Sequence, residues 1–208
     1  MKHLPTDFAK QIAAHIPSTP RTGHRFVIAI AGPPAAGKST VAEALLDELG
    51  SRAGLLPMDG FHFDNAVLDE RGHRARKGAP HTFDVAGYAM TLDAARHEPE
   101  SEIAVPLFDR AFDLSRGSAS IIGADQDIVV TEGNYLLLDE TPWSALRKHF
   151  DLTVWLDVPL DTIEERILDR WASFDLSPAD SKLRAELNDL PNAVLVQGGS
   201  VPADLTLP

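Results

Sequence analysis

Two glycines five positions apart, followed at once by Lys38-Ser39-Thr40, set out a run whose residue types suit one piece of chemistry: Gly32-Pro33-Pro34-Ala35-Ala36-Gly37-Lys38-Ser39-Thr40. Gly32 and Gly37 let the backbone turn where a Cβ would clash, so that successive N–H groups point inward at phosphate oxygens. Lys38 sets a point charge against the outer phosphates of a nucleotide. The Ser39 hydroxyl is a small, hard oxygen suited to Mg²⁺. The spacing is Gly-x-x-x-x-Gly-Lys-Ser/Thr, the Walker A pattern, and it predicts ATP with Mg²⁺ over residues 32–40. A glycine-rich turn can match the pattern by chance, so the flanking elements decide.

Other residues could complete a phosphoryl transfer. Asp59, in Met58-Asp-Gly-Phe-His62, can accept the proton of a substrate hydroxyl; the same two residues also read as a plain Asp-Gly turn. Glu132, in Thr131-Glu-Gly-Asn134, is placed to hold Mg²⁺ with Ser39, directly or through water, as a Walker B acid. Arg166 and Arg170 lie four apart and share a helix face. They either spread transition-state charge, as an arginine finger does in cis, or pair on the surface with Glu165 or Asp169. Arg71, Arg74, Arg76 and Lys77 fall within seven positions of an otherwise acidic chain. That cluster reads as a mobile loop covering anionic ligands or as a solvated loop. His62, Arg76, Lys77, Asp109, Arg110 and Asn134, together with Asp59, are the candidates for binding an acceptor molecule. Their polarity suits a polyhydroxylated one, a sugar or a nucleoside.

The positioning elements follow from pattern. Phe26-Val-Ile-Ala-Ile-Ala31 is a short apolar run, as a buried parallel strand should be. Val41, Leu45, Leu46 and Leu49 recur at helical spacing before Gly50 stops the helix. The flanks of a phosphate loop are therefore correct. A second strand brings Asp59 to its carboxyl end, and residues 127–133 form a third with Glu132 at the same edge, where ligands bind in open α/β sheets. Asp84 caps a helix over 85–97. Residues 103–108 are strand-like, 120–122 read as a short edge strand, and 152–157 as another buried strand. Thr141-Pro142 starts a helix to about 149. Residues 160–171 and 177–190 are helices forming a lid, and 192–196 and 203–207 read as two short strands. An amphipathic helix over 6–16, carrying Phe8, Ile12 and Ile16 on one stripe, and a linker over 17–23 precede all of this. Alternating strands and helices predict an α/β fold, a three-layer doubly wound and mainly parallel sheet in a single domain over 1–208.

Composition narrows the partners. A net charge of −12 argues against nucleic acid, but not against ATP, whose charge Mg²⁺ and a local basic cluster can meet. No cysteine is present, so there is neither a disulfide framework nor a thiolate metal site. No apolar run approaches 18 residues. The expectation is a cytoplasmic protein that does not bind membrane.

The ordered motifs resemble the P-loop kinase family that includes pantothenate kinase, uridine kinase and phosphoribulokinase. The matching stretches are residues 32–40, Met58-Asp-Gly-Phe-His62, Arg76-Lys-Gly-Ala-Pro80 with Phe83-Asp84, Pro106-Leu-Phe-Asp-Arg110, Thr131-Glu-Gly-Asn134 and the Arg166/Arg170 helix. Together they cover roughly residues 26 to 196. Within that family, the short length is similar to bacterial nucleoside/nucleotide kinase-like proteins and fructose transport system kinases. The resemblance implies ATP with Mg²⁺, a helical lid, a small-molecule alcohol as acceptor and an assembly such as a homodimer. Carried over by position, Lys38 and Ser39 hold the phosphates and Mg²⁺, Asp59 is the base, Glu132 sits near the metal, and Arg170 with Arg166 supplies the lid arginines. The reading is a kinase for a sugar, fructose included, or for a pantothenate- or nucleoside-like alcohol. Two alternatives stand beside it: a nucleotide-dependent switch, which needs no Asp59, and a monophosphate kinase, which would use the Arg71 to Lys77 cluster on the acceptor phosphate.

Overall fold

A computed structural model describes residues 4–18, 23–173 and 177–208. In chain order the elements are α1 (Pro5–Ala13), β1 (Phe26–Ala31), α2 (Lys38–Leu49), β2 (Ala53–Pro57), α3 (Asn65–Glu70), α4 (Val85–His97) and β3 (Ile103–Asp109). Then follow β4 (Leu114–Ile122), β5 (Ile128–Gly133), β6 (Leu152–Leu156), α5 (Leu160–Ala172), α6 (Pro178–Arg184), α7 (Leu190–Gly199) and β7 (Leu205–Leu207). Short 3₁₀ turns join several of them.

β1 is apolar and buried at every position, as a strand covered on both faces must be. Its side chains alternate. Ile28 and Ile30 enter one core with Phe8 and Ile12 of α1, Val41 and Leu45 of α2, and Ile163 and Ile167 of α5. Val27, Ala29 and Ala31 enter the other, with Tyr88 and Leu92 of α4 and with Leu136 and Trp143. Each buried isoleucine contributes about 1.5–3 kcal/mol. β1 is the middle of a five-stranded sheet in the order β2-β5-β1-β6-β7, and every pairing in it is parallel. The result is the expected three-layer α/β fold. The carboxyl ends of β1, β2 and β5 lie side by side, which puts the phosphate loop, Asp59 and Glu132 at one edge.

The amino end of β1 is held by Arg25, a buried charge that the composition gave no reason to single out. Its guanidinium donates to the carbonyls of Ala95, Glu98, Pro99, Ser101, Gly123 and Gln126 at 2.7–3.0 Å. Two of those carbonyls close α4, where the helix dipole also favours a cation.

Several expectations are corrected. Residues 120–122 are the end of a nine-residue strand, β4, which forms an antiparallel hairpin with β3 outside the main sheet. Residues 192–196 are helical: they lie inside α7, which buries Asn192, Ala193 and Val196 at helical spacing. The run Ala-Val-Leu-Val mimics a strand in composition, and packing decided otherwise. Thr141 caps nothing, and the turn there is a 3₁₀ helix over Trp143–His149. The polar segment over 68–81 contains the end of α3 and two 3₁₀ turns. Residues 19–22 of the expected linker and 174–176 of the lid joint lie outside the described residues.

Candidate active site

The phosphate loop owes its shape to backbone conformation. Gly37 is left-handed at φ 97° and stands at the N-cap of α2, a position where a side chain would be strained. No side chain caps the helix. Its first N–H groups are therefore open to an anion at the positive end of the dipole. Lys38 folds back, its Nζ donating to Pro33 O at 2.8 Å and to Asn134 Oδ1 at 2.6 Å. It is 8% exposed. Burial pulls its pKa down to about 8, and the Glu132 and Asp59 carboxylates oppose that pull.

Glu132 ends β5 and is hydrogen-bonded by Ser39. Burial, and then the neighbouring Asp59 carboxylate, hold it well above the usual carboxylate range against the pull of Lys38. Ser39 and Glu132 thus bring two hard oxygens together beside the loop. That donor set fits Mg²⁺, which takes one or two protein oxygens and keeps waters and phosphates for the rest. No cluster of three or more His, Cys, Asp or Glu side chains forms a metal cage among the described residues.

Asp59 lies in a 3₁₀ turn, Met58–Phe61, that leaves the end of β2. Gly60 has to be glycine, because a Cβ there would stand 2.2 Å from Pro106 O of β3. The Asp-Gly pair is therefore both a tight turn and a way of presenting a carboxylate. Arg110 reaches Asp59, Nη2 to Oδ2 at 3.3 Å. His62 bonds through Nδ1 to Asp59 O at 2.8 Å, and its ring sits between Phe83 and Phe108. Burial keeps its pKa below the ordinary histidine value.

These residues share one cleft of about 770 Å³, ample for a nucleotide phosphate chain and a small second molecule. Lys38, Ser39 and Thr40 line it together with Asp59, His62, Lys77 and Arg110, and with Glu132 and Asn134. Pro34, Ala35 and Gly37 also line it, and Arg170 comes in from α5.

Three candidates fall elsewhere. Arg166 donates to Ala35 O and Ala36 O from outside the loop, at 3.2 and 3.3 Å. Arg76 donates to Leu187 O and Asn192 Oδ1 and opens on a second cleft of about 370 Å³. Asp109 accepts from the N–H groups of Ala111 and Phe112 at the hairpin tip and pairs with Arg116. Gly32, Pro33 and Ala36 shape the loop without lining the cleft. Arg71 stacks on Phe63. Lining residues that the sequence did not single out include Trp171, Asn188, Asp189 and Asn192, while the segment over 108–115, whose aromatic and charged residues suit a pocket rim, supplies Phe108 and Asp113. Asp113 neutralises part of the basic cluster: Lys77 Nζ pairs with its carboxylate at 3.1 Å and donates to its carbonyl and to Asn65 Oδ1, while Arg74 pairs with it at 3.5 Å.

A phosphate loop feeding a parallel sheet, with a carboxylate opposite it and an arginine helix beside it, defines a P-loop kinase. Comparison with known proteins gives the family. The chain is 30% identical over 194 residues to a candidate uridine kinase of Schizosaccharomyces pombe, covering 88% of this chain and 83% of that one. A solved structure from Silicibacter sp. TM1040, described as a candidate fructose transport system kinase, is 37% identical; the match covers 99% of this chain and all of that one, with a TM-score of 0.89. Pantothenate kinase of Enterococcus faecalis is 31% identical over 156 residues, and the match spans half of that protein's length. No family model matches the chain. The chain belongs to the P-loop kinases of the pantothenate kinase, uridine kinase and phosphoribulokinase type. It is a kinase, transferring phosphate from ATP to a small alcohol. No helix among the described residues is long and apolar enough to cross a membrane.

Proposed function

We propose that the acceptor is a neutral, polyhydroxylated metabolite, a sugar such as fructose, and that Asp59 is the base that takes the proton of its hydroxyl. The observation that carries this reading is the position of Asp59. It lines the same cleft as the phosphate loop, close enough to influence both Lys38 and Glu132. A switch protein has no need of a carboxylate there.

The donor phosphates lie on the open N–H groups of the loop and on Lys38. Ser39 and Glu132 would hold Mg²⁺, which would supply positive charge against the phosphate oxygens. His62, Arg110 and Asn134 orient the acceptor. Asp59 accepts the hydroxyl proton as the oxygen forms its bond to phosphorus, and Arg170 spreads the charge that develops. Arg110 pairs with Asp59 at 3.3 Å, which orients the carboxylate.

Charge supports a neutral acceptor over a nucleoside monophosphate. Lys77 Nζ donates to Asn65 Oδ1 and Asp113 O and pairs with the Asp113 carboxylate, and Arg74 faces Asp69 and Asp113. Little of the basic cluster is left to bind an acceptor phosphate. Fructose heads the list of sugars because the 37%-identical relative carries its name. The test is ADP release measured over sugars, nucleosides, pantothenate and nucleoside monophosphates. A neutral sugar should stimulate it most. Stimulation by a monophosphate alone would overturn the charge argument, and none by any acceptor would overturn the reading of Asp59.

A further inference from the structure

Past α6 the helix does not run on evenly. Residues Ala185–Asp189 form a π turn, closed by Leu190 N–H donating to Ala185 O. The cause is in the sequence. Pro191 has no N–H to return to Leu187 O, its partner four residues back, so a regular helix cannot continue through this point. The carbonyl left over is taken by Arg76, whose Nη1 donates to Leu187 O at 2.5 Å. Asn188 adds a second tie, its Nδ2 donating to Lys77 O at 2.7 Å. The bulge is thus pinned to the segment that carries Lys77 and Gly78.

The same bulge turns Asp189 toward α5. Its side chain is 11% exposed and bridges two groups: Arg170 Nη2 donates to Oδ1 at 2.9 Å, and Trp171 Nε1 donates to Oδ2 at 2.7 Å. Arg170 lines the cleft and is near enough to Lys38 for its charge to act on the lysine. Its Nε is buried with no hydrogen-bond partner among the described residues, so the Asp189 carboxylate is the polar contact that orients the guanidinium. A long side chain held at one point loses less rotamer freedom when it meets a phosphate than a free one does.

We infer that Asp189 is a positioning residue for phosphoryl transfer: it holds Arg170 aimed into the cleft, and the Pro191 bulge sets its place relative to the phosphate loop and the Lys77 segment. The inference rests on the proposed role of Arg170 and extends it to the carboxylate that acts through it.

The test compares wild type, Asp189→Asn, Arg170→Ala and the double variant. With the acceptor that wild type uses best, Asp189→Asn should lower kcat by about 10²-fold and raise the KM for ATP by about tenfold, while the acceptor KM stays within about twofold. On the Arg170→Ala background it should cost nothing further, because coupled residues are not additive. Titration with a non-hydrolysable ATP analogue carries the test without an acceptor: about a tenfold weakening for Asp189→Asn, absent when Arg170 is already alanine. Wild-type kcat and analogue affinity in Asp189→Asn would overturn the inference. So would a loss that adds in full to that of Arg170→Ala. Wild type that phosphorylates no acceptor counts against the proposed function, and the titration then judges Asp189 alone.

Discussion

In the donor half of the cleft the groups are buried and their bonds committed, whereas in the acceptor half the pair closest to the chemistry, Asp59 and Arg110, is more exposed and joined by a single contact. Lys38 is 8% exposed and fixed by Pro33 and Asn134. Glu132 is equally buried at the end of a fully covered strand. Across the cleft, the Asp59 side chain is 30% exposed and the Arg110 side chain 63%, joined to each other at 3.3 Å. The donor half grows from β1 and β5, the centre of the sheet. The acceptor half comes from the β3–β4 hairpin and the segment after β2, both outside it. A nucleotide phosphate is the same for every kinase of this type, so its site can be set by the core. The acceptor differs from one kinase to the next, and the residues that meet it sit where change costs little packing.

That contrast makes predictions in descending size. Lys38→Met removes a buried donor from the fixed half, and turnover should fall about 10²–10³-fold, read by ADP release. Arg25→Met tests the frame beneath it. Six carbonyls lose their donor, and denaturant unfolding should show a loss of about 3–5 kcal/mol. Arg110→Ala acts on the adjustable half, and should raise acceptor KM about tenfold with ATP KM unchanged. An equal effect on both KM values would erase the distinction between the halves.

The smallest effect is one of pH. In the proposed reading phosphate is held by protonated Lys38, whose pKa in the free protein is brought down to about 8. A bound phosphate raises that value, so binding takes up a proton above it. Affinity for metal-free ADP should be complete below about pH 8 and fall as pH rises through it, by up to tenfold per unit. An ordinary lysine would keep its grip to about pH 10. Calorimetric titration between pH 7 and 9.5 separates the two.

The donor half was legible in the sequence because its signals are local: glycines at fixed spacing, an apolar strand before them and a helical stripe after them. Asp84 as a cap and β5 with Glu132 at its end were readable for the same reason. The acceptor half was less so. Arg76 and Asp109 have the right chemistry at the right place in the chain, but one faces the lid and the other its own hairpin turn. Arg166 shares the helix with Arg170 and meets the loop from outside. α7 was hidden because Ala-Val-Leu-Val reads equally as a strand, and β4 because Leu114–Ile122 is only partly buried and includes three exposed positions in a row. Asp189 and Asn188 had no motif at all. Pro191 was the available signal, a proline in a helical stretch, and its meaning depends on Arg76, 115 positions earlier.

The most direct measurement is Asp59→Asn, with nucleotide affinity and acceptor turnover read on the same preparation. The account predicts ADP affinity close to wild type and turnover lower by about 10²–10⁴-fold with the best acceptor. Turnover at the wild-type rate would remove Asp59 from the base role, and a parallel loss of ADP affinity would contradict the separation of donor and acceptor halves.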